Sequence, residues 1–374
     1  MNEGQLSFMH LERVEVMTED RNDLTMKQIE TYSRQIVLDD IGYAGQKKIR
    51  DAKICVLGLG GLGSPTVLKL VAMGVGYLRI VDRDVVSRSD LHRQTLYDVD
   101  SLGIPKVEVA GRKLCRLNPD VDLDPIPASL NSANVDEVLK DMDVVVDGFD
   151  RITPRYIVNR ACQKRRIPYI FGSCIEYYGN VSSIVPGKTA CLECFYPDLD
   201  DDSLPKCAVV GVHPSVPSLV SCIQVLETIN FVVGNPLLLE NRLLYIDLKH
   251  LAFDAITLAR RDNCPVCGPH PSDSIRPIED KTVEETCARD GRRVVVISPK
   301  EIKQIDPRKL RRVIESKGMK VDVVSHFGIT FGNIQDVRMS VLRTGVLIAQ
   351  IPPKSIFSRD DINKIYQSVV ESAS

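Results

Sequence analysis

Two groups of residues in this chain have the types and spacing for chemistry. The first is the stretch "KICVLGLGGLGSP", which carries a G-x-G-x-x-G pattern at Gly58, Gly60 and Gly63, with Gly61 between them. Four β-favouring residues lead into it, and Ser64 and Pro65 offer an N-cap and a first helical residue. A strand, tight turn and helix start in that order aim backbone N–H groups and the helix dipole at a phosphate. Asp82, 19 residues beyond Gly63 in "YLRIVDRD", ends the next predicted strand, where a carboxylate can accept from ribose hydroxyls. Glycines alone could serve packing; strand, cap and acid together argue for a bound nucleotide.

The second group is four cysteines. Cys191-Leu-Glu-Cys194 and Cys264-Pro-Val-Cys267 form two C-x-x-C turns about seventy residues apart. One such turn could be redox-active or accidental. Two of them suit tetrahedral zinc, with no open position for catalysis. Cys207, in "DDSLPKCAVVGVHPS", is a different kind of cysteine: Lys206 beside it would favour the thiolate, against the alternative of an inert buried thiol. Cys55, Cys115, Cys162, Cys174 and Cys222 fall in apolar stretches and read as core, while Cys287 has no assignment.

Elements that would position these residues are visible as short apolar strands separated by helical stretches. Strands are expected at Ile54–Leu57, Tyr77–Val81, near Leu123–Pro127, at Val144–Val146 and at Tyr169–Ile170, with helices near Thr66–Met73, Lys106–Asn118 and Pro154–Lys164. Strands alternating with helices make βαβ units, and wholly apolar strands make a parallel sheet covered on both faces. The fold class is α/β: a doubly wound, mainly parallel, Rossmann-like sheet with a small C-terminal α/β domain. At 374 residues the chain exceeds the roughly 250–300 at which single cores stop growing, so two domains are expected. The expected division is an N-terminal arm at 1–26, a main domain at 27–268, a polar linker at 269–286 and the small domain at 287–374. In the last, a helix capped by Asp306-Pro307, strands near Val321–Ser325, Val337–Leu342 and Gly345–Ile351, and a final helix capped by Ser358 are predicted.

Composition narrows the function classes. With 44% hydrophobic and 26% charged residues the chain reads as an ordinary globular protein. A formal net charge of −2 gives no global reason to expect nucleic acid or an anionic membrane as partner. No apolar run approaches the length of about 20 residues needed to cross a bilayer. Eleven cysteines in a chain of this size fit a reducing compartment, and the expected location is the cytoplasm. The cations Arg93 in "DLHRQ", Lys106 in "GIPKVE" and Arg34 in "YSRQ" exceed what a pyrophosphate bridge needs and suit a triphosphate, unless each is a solvated surface charge.

"YSRQIVLDDIGYAGQ", "VLGLGGLGSP", "IVDRDVVSRSDLHRQ", "GIPKVE", "VVVDGFDRITPRYIVN" and the paired C-x-x-C turns together resemble the MoeB/ThiF/HesA family, relatives of the ubiquitin-activating enzymes. The resemblance runs from about Thr31 to Gly268. It implies ATP- and magnesium-dependent adenylation of the C-terminal carboxylate of a ubiquitin-like or sulfur-carrier protein ending in Gly-Gly, by a homodimer that also holds zinc. By position it implies Gly61 and its neighbours against the phosphates, Asp82 on the ribose, and Arg93 and Lys106 on phosphate and ribose. Arg34 would reach the other subunit's nucleotide and Asp150 would ligate magnesium, with Asp147 a rival ligand. Cys207 would either receive the acyl group as a thioester or join it through sulfur, and a downstream conjugating or sulfur-donor protein would follow. Two positions depart from the family pattern: Asp90, beside the phosphates, and Arg151, after Asp150, both stand where Asn is usual.

Two rivals remain open at this stage. The glycine loop and Asp82 alone would suit an NAD(P)-dependent oxidoreductase, and the two departures would suit a non-catalytic partner-binding scaffold. The basic run Arg308, Lys309, Arg311, Arg312, Lys317 and Lys320 is either a docking face for the carrier or an acceptor, or a solvated helix face.

Overall fold

A computed structural model describes residues 23–205, 207–269, 277–278, 281–287, 291–332, 336–353 and 355–373. Most of the expected arm and the Lys206 position lie outside the described residues.

The larger sheet is formed by β1 (Lys53–Leu57), β2 (Tyr77–Val81), β3 (Asp122–Ile126), β4 (Val144–Asp147), β5 (Tyr169–Ile175), β6 (Tyr178–Ile184), β7 (Arg242–Asp247) and β8 (Ala252–Thr257). Its spatial order is β3-β2-β1-β4-β5-β6-β7-β8. Pairings from β3 through β5 are parallel, and those from β5 through β8 are antiparallel. Alternation along β1 sends Cys55 and Leu57 into one core and Ile54 and Val56 into the other. That is what a strand period of two produces when helices cover both faces. The helix Lys106–Leu117 buries Val107, Ala110 and Leu114 on one stripe, which fixes Lys106 at its first position, facing the sheet's carboxyl edge.

Strands β6 to β8 of this sheet and one helix packed against it have no counterpart among the sequence expectations. β6 carries Gly179, Asn180, Ser182 and Ser183 and so shows no apolar run, and β8 is an edge strand that leaves Phe253 and Ile256 about half exposed. The helix Ser215–Val233 is apolar nearly all round and gives no amphipathic period. By length and composition it could cross a membrane, contrary to the sequence expectation. Its buried polar side chains place it in the core instead. Gln224 donates to the Asp147 and Ile170 carbonyls, and Glu227 accepts from Ser183 and from the Leu238 and Leu239 amides.

The second sheet is antiparallel throughout, with β9 (Val283–Cys287), β10 (Arg293–Ile297), β11 (Lys320–Val324), β12 (Gly328–Gly332), β13 (Arg338–Leu342) and β14 (Leu347–Ile351) in the order β11-β12-β13-β14-β10-β9. β9 starts at Val283, inside the span expected to be linker, because it completes the edge against β10. Asp306 and Ser358 cap the helices Pro307–Ser316 and Arg359–Tyr366 as the sequence suggests. This unit docks firmly on the first. Glu108 accepts from the His326 and Phe327 amides, Thr330 donates to the Gly103 carbonyl, Ser129 meets Ser298 at 2.6 Å, and Thr344 donates to Pro127.

Candidate functional site

In the larger sheet the strand order reverses between β1 and β4, and the crevice outside their carboxyl ends is where open α/β sheets bind ligands. The glycine loop lies there because only glycine fits two of its positions. Gly58 has φ +92°, and a Cβ on it would sit 2.6 Å from the Gly148 carbonyl; one on Gly63 would come within 1.7 Å of the Gly58 carbonyl. Gly60 and Gly61 have more room, with the stem of Arg93 3.6 Å from a Cβ at Gly61. The helix begins at Gly63, so Ser64 is not its cap. The Ser64 hydroxyl is buried without a partner among the described residues, as is Gln94 Oε1 nearby.

Asp82 grips this loop. Its two carboxylate oxygens accept from the Leu59 and Asp84 amides, each at 2.6 Å. Burial pushes its pKa up to about 6, against the pull of the Lys106 ammonium. Lys106 is itself buried, 3.2 Å from Asp84 and 3.8 Å from Asp90. Burial disfavours its charge, yet Asp84, Asp90 and Asp82 together raise its pKa above the usual lysine value. Asp90, at the first departure from the family pattern, is fully engaged: it accepts from the Ser87 amide and hydroxyl and from Gln94 Nε2, and Arg93 stands 3.6 Å away. Its negative charge is therefore met inside the protein and does not face a phosphate unpaired.

Asp150 is exposed just past β4 and has no ion-pair or hydrogen-bond partner among the described residues. Asp147 is unavailable as a rival ligand. It is buried, 2.9 Å from Arg155 Nε, and accepts from the Tyr169 hydroxyl and the Phe149 amide.

Gly58, Gly60, Gly61, Gly63, Asp82, Asp90, Arg93, Lys106 and Asp150 thus gather at one edge. Arg34 does not join them. It is exposed on the short helix Ser33–Ile36, which Gln35 anchors to the Met73 carbonyl. That is the far end of the helix that starts at the glycine loop, about 15 Å away for ten residues. Sequence reasoning missed Asp84, the partner of Lys106, although the "DRD" spacing puts it two residues past Asp82.

The four knuckle cysteines converge, with their Sγ atoms all within 4.8 Å of one another and all four residues buried. Sγ separations of 3.9, 3.6 and 3.4 Å surround the value of about 3.8 Å that four thiolates at ~2.3 Å from a tetrahedral zinc require. An all-sulfur, closed donor set of this size fits structural zinc. The cluster joins the helix Leu192–Phe195 to the segment after β8. Of the remaining cysteines, Cys55 and Cys162 are core as expected, Cys174 is half-buried, and Cys115 and Cys222 are exposed, because they occupy the solvent sides of their helices. Cys207 opens the short helix Cys207–Val210, and its side chain lies outside the described residues.

A glycine-loop crevice at the strand switch point, where buried Lys106 faces Asp84 and Asp90, in a chain that also gathers four cysteines, defines a nucleotide-binding protein of the doubly wound class. Residues 32–266 match the ThiF family, and the chain belongs to it. It is 37% identical to the SAMP-activating enzyme E1 of Haloferax volcanii over 71% of this chain and 97% of that protein. It is 35% identical to the sulfur carrier protein adenylyltransferase of Thermus thermophilus, over 66% of this chain and 94% of that one. Among solved structures, E. coli MccB with ATP superposes at a TM-score of 0.58 with 25% identity, over 64% of this chain and 74% of that chain. Family membership displaces the oxidoreductase alternative, which rested on the glycine loop and Asp82 alone.

Proposed function

We propose that this protein uses ATP to adenylate the C-terminal glycine carboxylate of a ubiquitin-like or sulfur-carrier protein. The observation that carries the reading is the convergence of the glycine loop, Asp82, Arg93 and Lys106 at the β1/β4 switch point. The carboxylate attacks the α-phosphorus, an acyl adenylate forms and pyrophosphate leaves in line. Little covalent work falls to the protein, so positioning and fixed positive charge lower the barrier. Loop amides and the helix start take the phosphates. Lys106 and Arg93 supply the cations. Arg34, exposed and remote from its own crevice, serves the site of a second copy, which makes the working form a homodimer. Asp150 offers an open carboxylate for magnesium, which when bound neutralises the leaving pyrophosphate.

The test is ATP–pyrophosphate exchange in the presence of a Gly-Gly-ending carrier. Exchange that appears only with carrier is expected, and mass spectrometry of the same reaction reports whether Cys207 carries the acyl group. Absence of exchange with every such carrier of the source genome would refute the reading.

Asp82 adds a pH signature. Its carboxylate has lone pairs left for ribose hydroxyls after the two amides are satisfied. Its folded pKa, about 6, exceeds the ordinary 3.8, so it takes up a proton as pH falls through about 6. Affinity for adenosine, which carries no phosphate to titrate, is expected to fall over that window. A flat profile would remove Asp82 from the ribose.

A further inference from the structure

Residues beyond 266 lie outside the family match, yet one of them reaches the nucleotide crevice. Glu284, on β9 of the second sheet, is gripped by two guanidinium groups of the first. Arg151 forks onto it, with Nη1 2.7 Å from Oε2 and Nη2 donating to Oε1 at 3.1 Å, and Arg83 Nη2 lies 2.6 Å from Oε2. All three side chains are largely shielded, with 19% of Glu284, 21% of Arg83 and 32% of Arg151 exposed. Arg83 directly follows Asp82 past β2, and Arg151 directly follows Asp150 past β4. Those strands flank β1, so one carboxylate from the appended sheet ties together both rims of the crevice.

The local charges show what this tie prevents. Asp84 and Asp150 both act on the Arg83 guanidinium, and Arg151 acts on Asp84. Guanidinium groups without Glu284 would turn to these carboxylates, since bidentate pairing with carboxylate is their preferred geometry. Asp84 is already committed to Lys106 at 3.2 Å; Asp150 is the open one. Arg151 stands where the resembling family has Asn, and its partner comes from a sheet outside the family match.

We propose that Glu284 is a positioning residue for metal–nucleotide binding: it holds Arg83 and Arg151 away from Asp150, so that this carboxylate stays open to magnesium. The inference rests on the reading of Asp150 as the magnesium ligand. It makes the C-terminal unit part of the site's construction.

The experiment is calorimetric binding of ATP to the full-length chain, with and without magnesium. Glu284→Gln keeps shape and removes charge. It is expected to weaken binding of ATP with magnesium about tenfold, the scale typical of residues that orient metal ligands, and to leave magnesium-free binding unchanged or tighter. Glu284→Gln combined with Arg151→Asn is expected to return the magnesium-dependent affinity to within about twofold of the parent, because the competing guanidinium is gone. Equal weakening with and without magnesium, no weakening, or no rescue by Arg151→Asn would overturn the proposal. Asp150→Asn separates the two layers. If it leaves the magnesium dependence intact, the ligand reading fails and this inference with it. If it removes that dependence while Glu284→Gln does not alter it, only the positioning role fails.

Discussion

Lys106→Met is expected to abolish pyrophosphate exchange and to destabilise the fold together. The side chain is 6% exposed and faces three carboxylates, Asp84 at 3.2 Å, Asp90 at 3.8 Å and the more distant Asp82. Methionine keeps the volume and removes the ammonium shared by these acids, of which Asp90 keeps Arg93 at 3.6 Å while Asp84 loses its 3.2 Å partner. Removing one partner of a buried charge group costs about 3–5 kcal/mol, because the remaining charges stay desolvated and uncompensated. Asp82, already pushed up by burial, would rise further without the pull of the Lys106 ammonium and take up a proton more readily, loosening its hold on the Leu59 amide and so on the glycine loop. Loss of a preorganised cation at developing phosphate charge adds a factor on the order of 100–1000 in rate. Denaturant titration and exchange assays read the two effects separately. Stability within about 1 kcal/mol of the parent would show that the acids do not depend on Lys106.

The second large effect concerns the cysteine cluster. The four cysteines are expected to hold about one zinc per chain, read by elemental analysis, and Cys264→Ala with Cys267→Ala, which removes one knuckle, is expected to bring that content to near zero. Structural zinc sites are worth on the order of 10 kcal/mol in isolated peptides, beyond the about 2–5 kcal/mol of a single core truncation. The melting transition should drop accordingly, and a strong chelator should reproduce the drop in the parent protein. A parent purified without zinc whose melting is indifferent to chelator would show that the four sulfurs hold no metal.

How much of this was legible in the sequence depended on whether the signal was local. The glycine turn, Asp82 and the two C-x-x-C pairs are local patterns whose geometry follows from neighbours in the chain: the turn meets Asp82, and the four cysteines meet one another. β1, β4 and β5 were readable because buried parallel strands are largely continuous apolar runs, whereas β3, an edge strand of sequence DLDPI that is only half-buried, was expected only approximately. Their antiparallel neighbours β6 to β8 were not: Gly179 and Asn180 break any apolar pattern in β6, and the pairing of β7 and β8 depends on tertiary contact and not on a local signal. β12 was missed for a related reason: Gly328 and Gly332 bound it and hide a three-residue core of Ile329, Thr330 and Phe331. The site's least legible partners are the long-range ones. Nothing near Arg83 or Arg151 points to Glu284, 201 residues from the first and 133 from the second.

The helix Ser215–Val233 carries one more consequence, for the chain as it leaves the ribosome. Nineteen residues of that hydropathy resemble a substrate for membrane-insertion machinery until they dock on β5 and β6, which precede them in the chain. Glu227, near the middle, adds about 3 kcal/mol to the cost of such insertion. The same carboxylate that later clasps the Leu238 and Leu239 amides is a safeguard against mistargeting during synthesis.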